Sequence, residues 1–111
     1  MTGMRVMVIF VLFDLPTGSK AEKRRYAEFR KFLVGEGYRM EQFSVYARHV
    51  LGRDAADAQM ALLARNVPRT GSVIAFSMTE KEYSRRRQLV GQQRVGARVS
   101  EDTAGQMTIV F

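Results

Sequence analysis

The stretch "MRVMVIFVLFDLP", residues 4–16, decides the fold of this chain. Apolar residues occupy both alternating sets of positions from 4 to 13, so an extended strand here would be apolar on both faces. A strand of this kind lies inside a sheet and is covered on both sides. We therefore predict a central strand over residues 4–13, followed by Asp14 at its end and a turn at Pro16.

The residues that follow predict two amphipathic helices. The first runs from Ser19 to Gly35, because Ser19 and Glu22 have the spacing of a capping box and apolar residues recur at helical intervals. The second covers residues 54–67 and ends before Pro68. Further strands are predicted at residues 38–51, 71–79, 86–92 and 106–111, with a turn around residues 81–83.

The segment 38–51 leaves two topologies open. As one strand it gives the order βαβαβ, which is flavodoxin-like. If a bulge or turn divides it, the order is βαββαβ, the ferredoxin-like α/β (α+β) sandwich. Both helices of that sandwich lie on one face of the sheet, so we expect a second copy of the chain to cover the other face in a two-fold dimer packed sheet to sheet.

Length and composition predict one soluble domain. A chain of 111 residues buries roughly two thirds of its unfolded surface on folding, enough for one core. It has no cysteine, and its longest apolar run, residues 6–13, is far shorter than the roughly 20 residues that cross a bilayer. We expect a cytoplasmic protein without a membrane partner. Residues 1–91 would form the domain, and residues 92–111 a C-terminal segment whose strand is exchanged with the partner subunit.

The charge of the chain predicts a polyanionic partner. Lysine and arginine number 18 against 11 aspartates and glutamates, a net charge of +7, and residues 19–39 and 81–98 carry the excess. Nucleic acid is the commonest partner of such a surface, and a merely solvated basic face is the alternative. The residues predicted to bind phosphate are Lys20, Lys23, Arg24, Arg25, Arg85, Arg86 and Arg87.

Several segments resemble the CRISPR-associated protein two family, the small partner of the CRISPR integrase in spacer acquisition. They are "VLFDLP" (11–16), "KRRYAEFRKFLVGEGYRMEQFSVYAR" (23–48), "GSVIAFSMTEKEY" (71–83) and "LVG" (89–91). The proline after "FDL" is most similar to members from systems with a single large effector nuclease. The resemblance implies the ferredoxin-like fold and a homodimer whose last strand lies against the other subunit, in agreement with the prediction made from the pattern alone.

The resemblance also implies a function. Members bridge integrase dimers on a short double-stranded DNA that is inserted into the CRISPR array. Several are described as metal-dependent nucleases on single-stranded RNA or double-stranded DNA, and the strand-end aspartate they use corresponds to Asp14. Asp14 is therefore predicted to be catalytic and to bind Mg²⁺ or Mn²⁺, since Mg²⁺ is usually held by one or two carboxylates with waters and phosphate. Judged alone, an aspartate before a proline turn is most often a turn former.

Two functions of different classes are therefore expected. The first is a dimeric subunit that bridges integrase dimers on DNA, in which catalysis is dispensable. The second is a stand-alone metal-dependent endoribonuclease of the toxin-like ferredoxin-fold type, and a metabolite-binding regulatory module is a weaker third. The predicted dimer contacts are Phe13, Gln42, Ser44, Tyr46, Ile109 and Phe111.

Overall fold

The computed structural model describes residues 5–91. In chain order its elements are β1 (Val6–Asp14), α1 (Lys20–Gly35), β2 (Arg39–Gln42), β3 (Val45–Leu51), α2 (Arg53–Asn66), β4 (Ser72–Thr79) and α3 (Glu80–Ser84). The predicted C-terminal strand at 106–111, with Ile109 and Phe111, lies outside the described residues.

The strands form one antiparallel sheet in the order β2-β3-β1-β4. The predicted stretch 4–13 is thus a central strand, paired with β3 on one side and with β4 on the other. Phe10 lies opposite Ala47 of β3 and opposite Phe76 of β4. This order of strands and helices confirms the ferredoxin-like α/β sandwich and excludes the single strand over residues 38–51.

The division of residues 38–51 has a local cause. The β2–β3 pairing shifts between Met40 and Gln42, and Gln42 then lies opposite Val45 across a two-residue turn. Ser44 in that turn has a φ of 64°, in the left-handed region that is uncommon for residues other than glycine. The backbone N–H of Phe13 donates to the Ser44 carbonyl at 3.1 Å, which joins the turn to the end of β1.

The capping box at the start of α1 is formed as predicted. The Glu22 N–H donates to Ser19 Oγ at 3.1 Å, and the Ser19 N–H donates to Glu22 Oε1 at 2.9 Å. Phe29 and Leu33 of this helix are buried against the sheet, together with Ala56 and Leu63 of α2. Both long helices therefore lie on one face of the sheet, which we call the helix face.

Alternate residues of β1 supply two cores. Met7, Ile9, Val11 and Phe13 belong to the core under the helix face, whereas Val8 packs on the opposite side with Ala47 and Tyr83. Burying each such aliphatic side chain contributes about 1.5–3 kcal/mol. We call the second side of the sheet the open face, because α3 covers only part of it.

Two predictions about the end of the domain were wrong. The expected turn around residues 81–83 is the single-turn helix α3, and its Tyr83 supplies part of the cover that was assigned entirely to a second subunit. Residues 86–91 form no strand, and residue 92 lies outside the described residues. In the part of the chain that the structure describes, no helix is long and apolar enough to cross a membrane.

Candidate functional site

Asp14 is exposed at the last position of β1, opposite Ser72 of β4. It lies in a shallow depression of about 260 Å³ at this end of the sheet. The depression is lined by Leu12, Phe13, Asp14, Phe43, Ser44, Val45, Ser72 and Ile74. The carboxylate is thus open to solvent, which its position in the sequence alone did not establish.

A glycine keeps the backbone around Asp14 compact. Gly71 has a φ of 87°, and a Cβ there would lie 2.7 Å from Leu15 Cδ2 and 2.8 Å from the Asp14 carbonyl oxygen. A larger residue at position 71 would therefore push the loop before β4 away from β1. Gly71 allows the two strand ends to lie side by side, which places Ser72 next to Asp14.

The donor set around Asp14 fits a cation that keeps much of its hydration. Within residues 5–91 no group of three or more His, Cys, Asp or Glu side chains is placed to hold a metal ion. Mg²⁺ is commonly bound by one or two carboxylates, with waters and substrate phosphate completing its shell. Asp14 supplies one carboxylate, and Ser44 and Ser72 line the same depression.

The basic residues of α1 are exposed near its start. Lys20, Lys23, Arg24 and Arg25 are all exposed, and none of them forms a salt bridge within residues 5–91. Arg25 also lines a cleft of about 610 Å³ between α1 and the loop after α2, where Glu28 and Arg69 lie as well. These side chains can approach a phosphate without first breaking an ion pair.

Members of the second group of predicted phosphate ligands, Arg85, Arg86 and Arg87, differ in their contacts within the protomer. Arg85, Arg86 and Arg87 are all exposed, but Arg86 also makes contacts within the protomer. Its Nη1 donates to the Tyr83 carbonyl at 3.1 Å, its Nε is 3.7 Å from Glu41 Oε1, and its guanidinium lies 3.8 Å from the centre of the Tyr83 ring. Arg86 therefore connects the end of α3 to β2. It would have to give up these contacts in order to bind a phosphate.

Tyr83 is the centre of a polar cluster on the open face. Its hydroxyl donates to Glu41 Oε2 at 2.9 Å. Burial, and then the hydrogen bond to the Glu41 carboxylate and its charge, raise the pKa of Tyr83 above the usual value for tyrosine. The ring of His49 meets Tyr83 edge-on, and His49 Nε2 lies 2.8 Å from Glu80 Oε1.

The sequence contained a signal for helix α3 that was not used in the prediction. Thr79 and Glu82 have the spacing of an N-cap, and the Glu82 N–H donates to the Thr79 hydroxyl.

The rest of the open face is apolar and exposed. Phe10 stacks with Phe76 at a centroid distance of 5.7 Å, and the side chain of Phe76 remains 41% exposed. Ile74, on the same strand, is 59% exposed. A depression of about 540 Å³ on this face is lined by Phe10, Leu12, Glu41, Gln42, Val45, Phe76, Ser84, Arg86, Arg87 and Gln88.

The predicted dimer contacts are distributed over different parts of the fold. Phe13 and Tyr46 are only 6% and 2% exposed, and their rings stack in the core under the helix face. They point away from the open face because side chains alternate along β1 and β3, and the sequence alone did not show which set faced the helices. Gln42 is exposed beside the open face, and Ser44 is half-buried in the β2–β3 turn.

Fold and surfaces together define a small basic protein of the ferredoxin-like class, with an accessible carboxylate at the end of its central strand. The family model described as "CRISPR associated protein Cas2" matches residues 7–86. The chain belongs to this Cas2 family, which confirms the resemblance found in the sequence.

Relatives named "CRISPR-associated endoribonuclease Cas2" match most of the chain. The protein of Acidovorax ebreus is 48% identical over 85 residues, which cover 77% of this chain and 83% of the relative. That of Streptococcus mutans serotype c is 39% identical over 87 residues, 78% of this chain and 80% of the relative. That of Paracidovorax avenae is 35% identical over 102 residues, 92% of this chain and 94% of the relative.

Proposed function

We propose that this chain is a dimeric nucleic-acid-binding subunit of the CRISPR adaptation complex. The observation that carries the proposal is the open face, where Phe76 and Ile74 stay exposed beside Phe10, which Tyr83 of α3 covers only in part. A contiguous apolar surface of this kind is costly to expose to water and usually marks an interaction site. A second copy of the same sheet covers it by symmetry, since a two-fold interface uses one surface twice.

The C-terminal segment would complete this dimer. Residues 106–111 have the composition of a strand, and they would add to the edge of the partner's sheet, with Ile109 and Phe111 as apolar contacts. Gln42 and Ser44 lie at or near the rim of the open face and would contact the partner at its border. The core residues Phe13 and Tyr46 would support the interface from inside the protomer.

The dimer would bind double-stranded DNA through phosphate contacts and bridge two dimers of the CRISPR integrase subunit. The exposed residues Lys20, Lys23, Arg24 and Arg25 supply one positive surface, and Arg85 and Arg87 supply another. Contacts of this kind neutralise phosphates without reading the base sequence. A subunit that handles DNA of any sequence requires binding of this type.

The first experiment tests the dimer. Phe76→Glu should convert the protein to a monomer in sedimentation equilibrium, because it places two like charges in the centre of an apolar interface. The matched control is Val34→Glu, at a 52% exposed apolar position of α1 away from the open face, which should leave the dimer intact. A Phe76→Glu protein that sediments as the wild type does, or a monomeric wild type, would contradict the proposed interface.

A nuclease activity at Asp14 is the second candidate function. It is favoured by the exposure of Asp14 in a depression at the end of the sheet, and by the endoribonuclease names of the relatives. Bound Mg²⁺ or Mn²⁺ would supply activation of a water molecule and stabilisation of charge on the phosphate. Asp14 would hold the metal, a two-fold axis would bring a second copy of this aspartate, and Lys20 and Lys23 would hold the nucleic acid backbone.

One substitution, Asp14→Asn, distinguishes the two proposed functions. With Mg²⁺ or Mn²⁺, the wild type should cleave single-stranded RNA or double-stranded DNA, and Asp14→Asn should reduce the rate at least about 100-fold. Asp57→Asn, at an exposed position of α2, is the control and should cleave normally. If Asp14→Asn cleaves as fast as the wild type, the nuclease assignment is lost. If it has lost cleavage but still supports insertion of a short duplex with the integrase, catalysis is dispensable for adaptation.

A further inference from the structure

The turn between β2 and β3 carries an exposed aromatic ring beside Asp14. Phe43 is 78% exposed, whereas Phe76 on the open face is 41% exposed. Phe43 and Asp14 line the same depression, although 29 positions separate them in the sequence. Phe13, the neighbour of Asp14 in the sequence, is buried in the core and offers no ring face to a ligand.

The backbone holds Phe43 in a defined place. The next residue, Ser44, has a left-handed φ of 64° and accepts a hydrogen bond from the Phe13 N–H at 3.1 Å. The hydroxyl oxygens of Ser44 and Tyr26 lie 3.5 Å apart. The turn is therefore connected both to the residue before Asp14 and to helix α1, so that Phe43 has a fixed position relative to the carboxylate.

The ring is supported on one side and open on the other. Phe43 stacks on Tyr26 with a centroid distance of 6.3 Å and an interplanar angle of 23°. Tyr26 belongs to α1 and packs against the core under the helix face, whereas Phe43 also lines the Asp14 depression, at the end of the open face where Ile74 lies. An aromatic ring fixed in this way offers one flat apolar face to solvent.

We infer that Phe43, backed by Tyr26, stacks an unpaired nucleobase of a single-stranded nucleic acid whose backbone passes Asp14. Aromatic side chains next to a positive surface bind single strands in this manner, because every base presents a π-face. The net charge of +7 favours the phosphate backbone. The inference rests on the proposed nucleic-acid function and adds a preference for single strands at the Asp14 end, since paired bases are not free to stack.

The test measures binding without divalent cations, so that it does not depend on cleavage. Phe43→Ala should bind a fluorescein-labelled 12-nucleotide RNA about 5-fold to 100-fold more weakly than the wild type, as expected for loss of one stacked base. Phe43→Tyr should recover most of this loss. Val34→Ala, at another exposed apolar position, should bind as the wild type does.

A second RNA series tests for the base itself. Single abasic nucleotides are placed in turn along the RNA. At one position the abasic site should weaken binding to the wild type and leave binding to Phe43→Ala unchanged, because the two changes remove the same contact. Binding of a fully paired DNA duplex should be the same for both proteins.

Three results would overturn the inference. The first is equal affinity of the wild type and Phe43→Ala for the single-stranded RNA. The second is an equal loss of affinity for the RNA and for the duplex. The third is a change in sedimentation on Phe43→Ala, which would place this ring in a contact between copies of the chain. Absence of cleavage at Asp14 would contradict the nuclease proposal and leave this binding result intact.

Discussion

Tyr38 is a buried residue at which the fold changes acid–base behaviour. Its hydroxyl donates to Gln59 Oε1 at 3.0 Å, and the side chain is only 3% exposed. Burial raises the pKa of Tyr38 to about 12; the nearby Arg48 lowers it and the nearby Glu36 raises it. The neutral hydroxyl therefore links the start of β2 to α2, and ionisation breaks that link.

The raised pKa of Tyr38 predicts that the folded protein loses stability at high pH. The pKa is about 10 in the unfolded chain and about 12 in the folded protein, so the stabilisation is fully present below pH 10 and is lost as the pH rises towards 12. Tyr38→Phe should cost about 1 kcal/mol at pH 8. Urea unfolding between pH 8 and 11.5 should show the wild type losing stability above pH 10 relative to Tyr38→Phe, until its advantage is gone. A constant difference over this range would contradict the assignment.

At the same scale, the sequence located Asp14 correctly at the end of a strand but not the residues around it. Phe13 precedes Asp14 in the sequence, but its side chain is buried in the core. Phe43, which shares the depression with Asp14, comes from a turn 29 residues later. Contacts between distant residues depend on strand register, and a register shift of one residue moves every side chain to the other face.

At the scale of elements, α1 is the best predicted part of the chain. Ser19 and Glu22 satisfy the first N–H groups of the helix, and Glu22 Oε1 accepts from Gly18 as well as from Ser19, each at 2.9 Å. These interactions involve only residues close in sequence, which is why the pattern alone was sufficient. In contrast, α3 was predicted as a turn because its five residues are too few to show a helical period, although Thr79 caps it and Tyr83 packs on distant strands.

The cap of α1 can be tested by substitution. Ser19→Ala should lower the free energy of unfolding by about 1 kcal/mol, because it removes the acceptor for the Glu22 N–H. Ser19→Asp should retain most of the stability, since its carboxylate can accept the same bond near the positive end of the helix dipole. Chemical denaturation followed by circular dichroism measures both. Equal losses for the two variants would show that the side chain does not act as a cap.

At the scale of the whole molecule, charge is the property that the sequence predicted most directly. The net charge of +7 does not depend on the fold, but the fold determines which lysine and arginine side chains are exposed and free of salt bridges. The structure leaves Lys23 and Arg24 exposed on α1, whereas Arg86 is engaged with Glu41 and Tyr83. We therefore expect Lys23 and Arg24 to contribute more to phosphate binding than Arg86 does.

This difference predicts the salt dependence of duplex DNA binding. Replacing Lys23 and Arg24 together by alanine should weaken binding and reduce the slope of log K against log salt by up to about 2, roughly 0.9 for each phosphate that the protein no longer neutralises. The control replaces Arg53 and Arg65, which are exposed on α2, and should leave the slope nearly unchanged. Fluorescence anisotropy at several salt concentrations gives both slopes. Equal effects of the two pairs would mean that binding follows total charge.

The sequence by itself determined the central strand, the capped helix, the basic character of the chain and the family resemblance. Each of these depends on neighbouring residues or on a sum over the chain. The tertiary structure decided which set of β1 side chains faces the helices, that Tyr83 covers part of the open face, and that Phe43 lies beside Asp14. These features require strand pairing and register between distant segments, and such long-range contacts leave no period in the sequence that would reveal them.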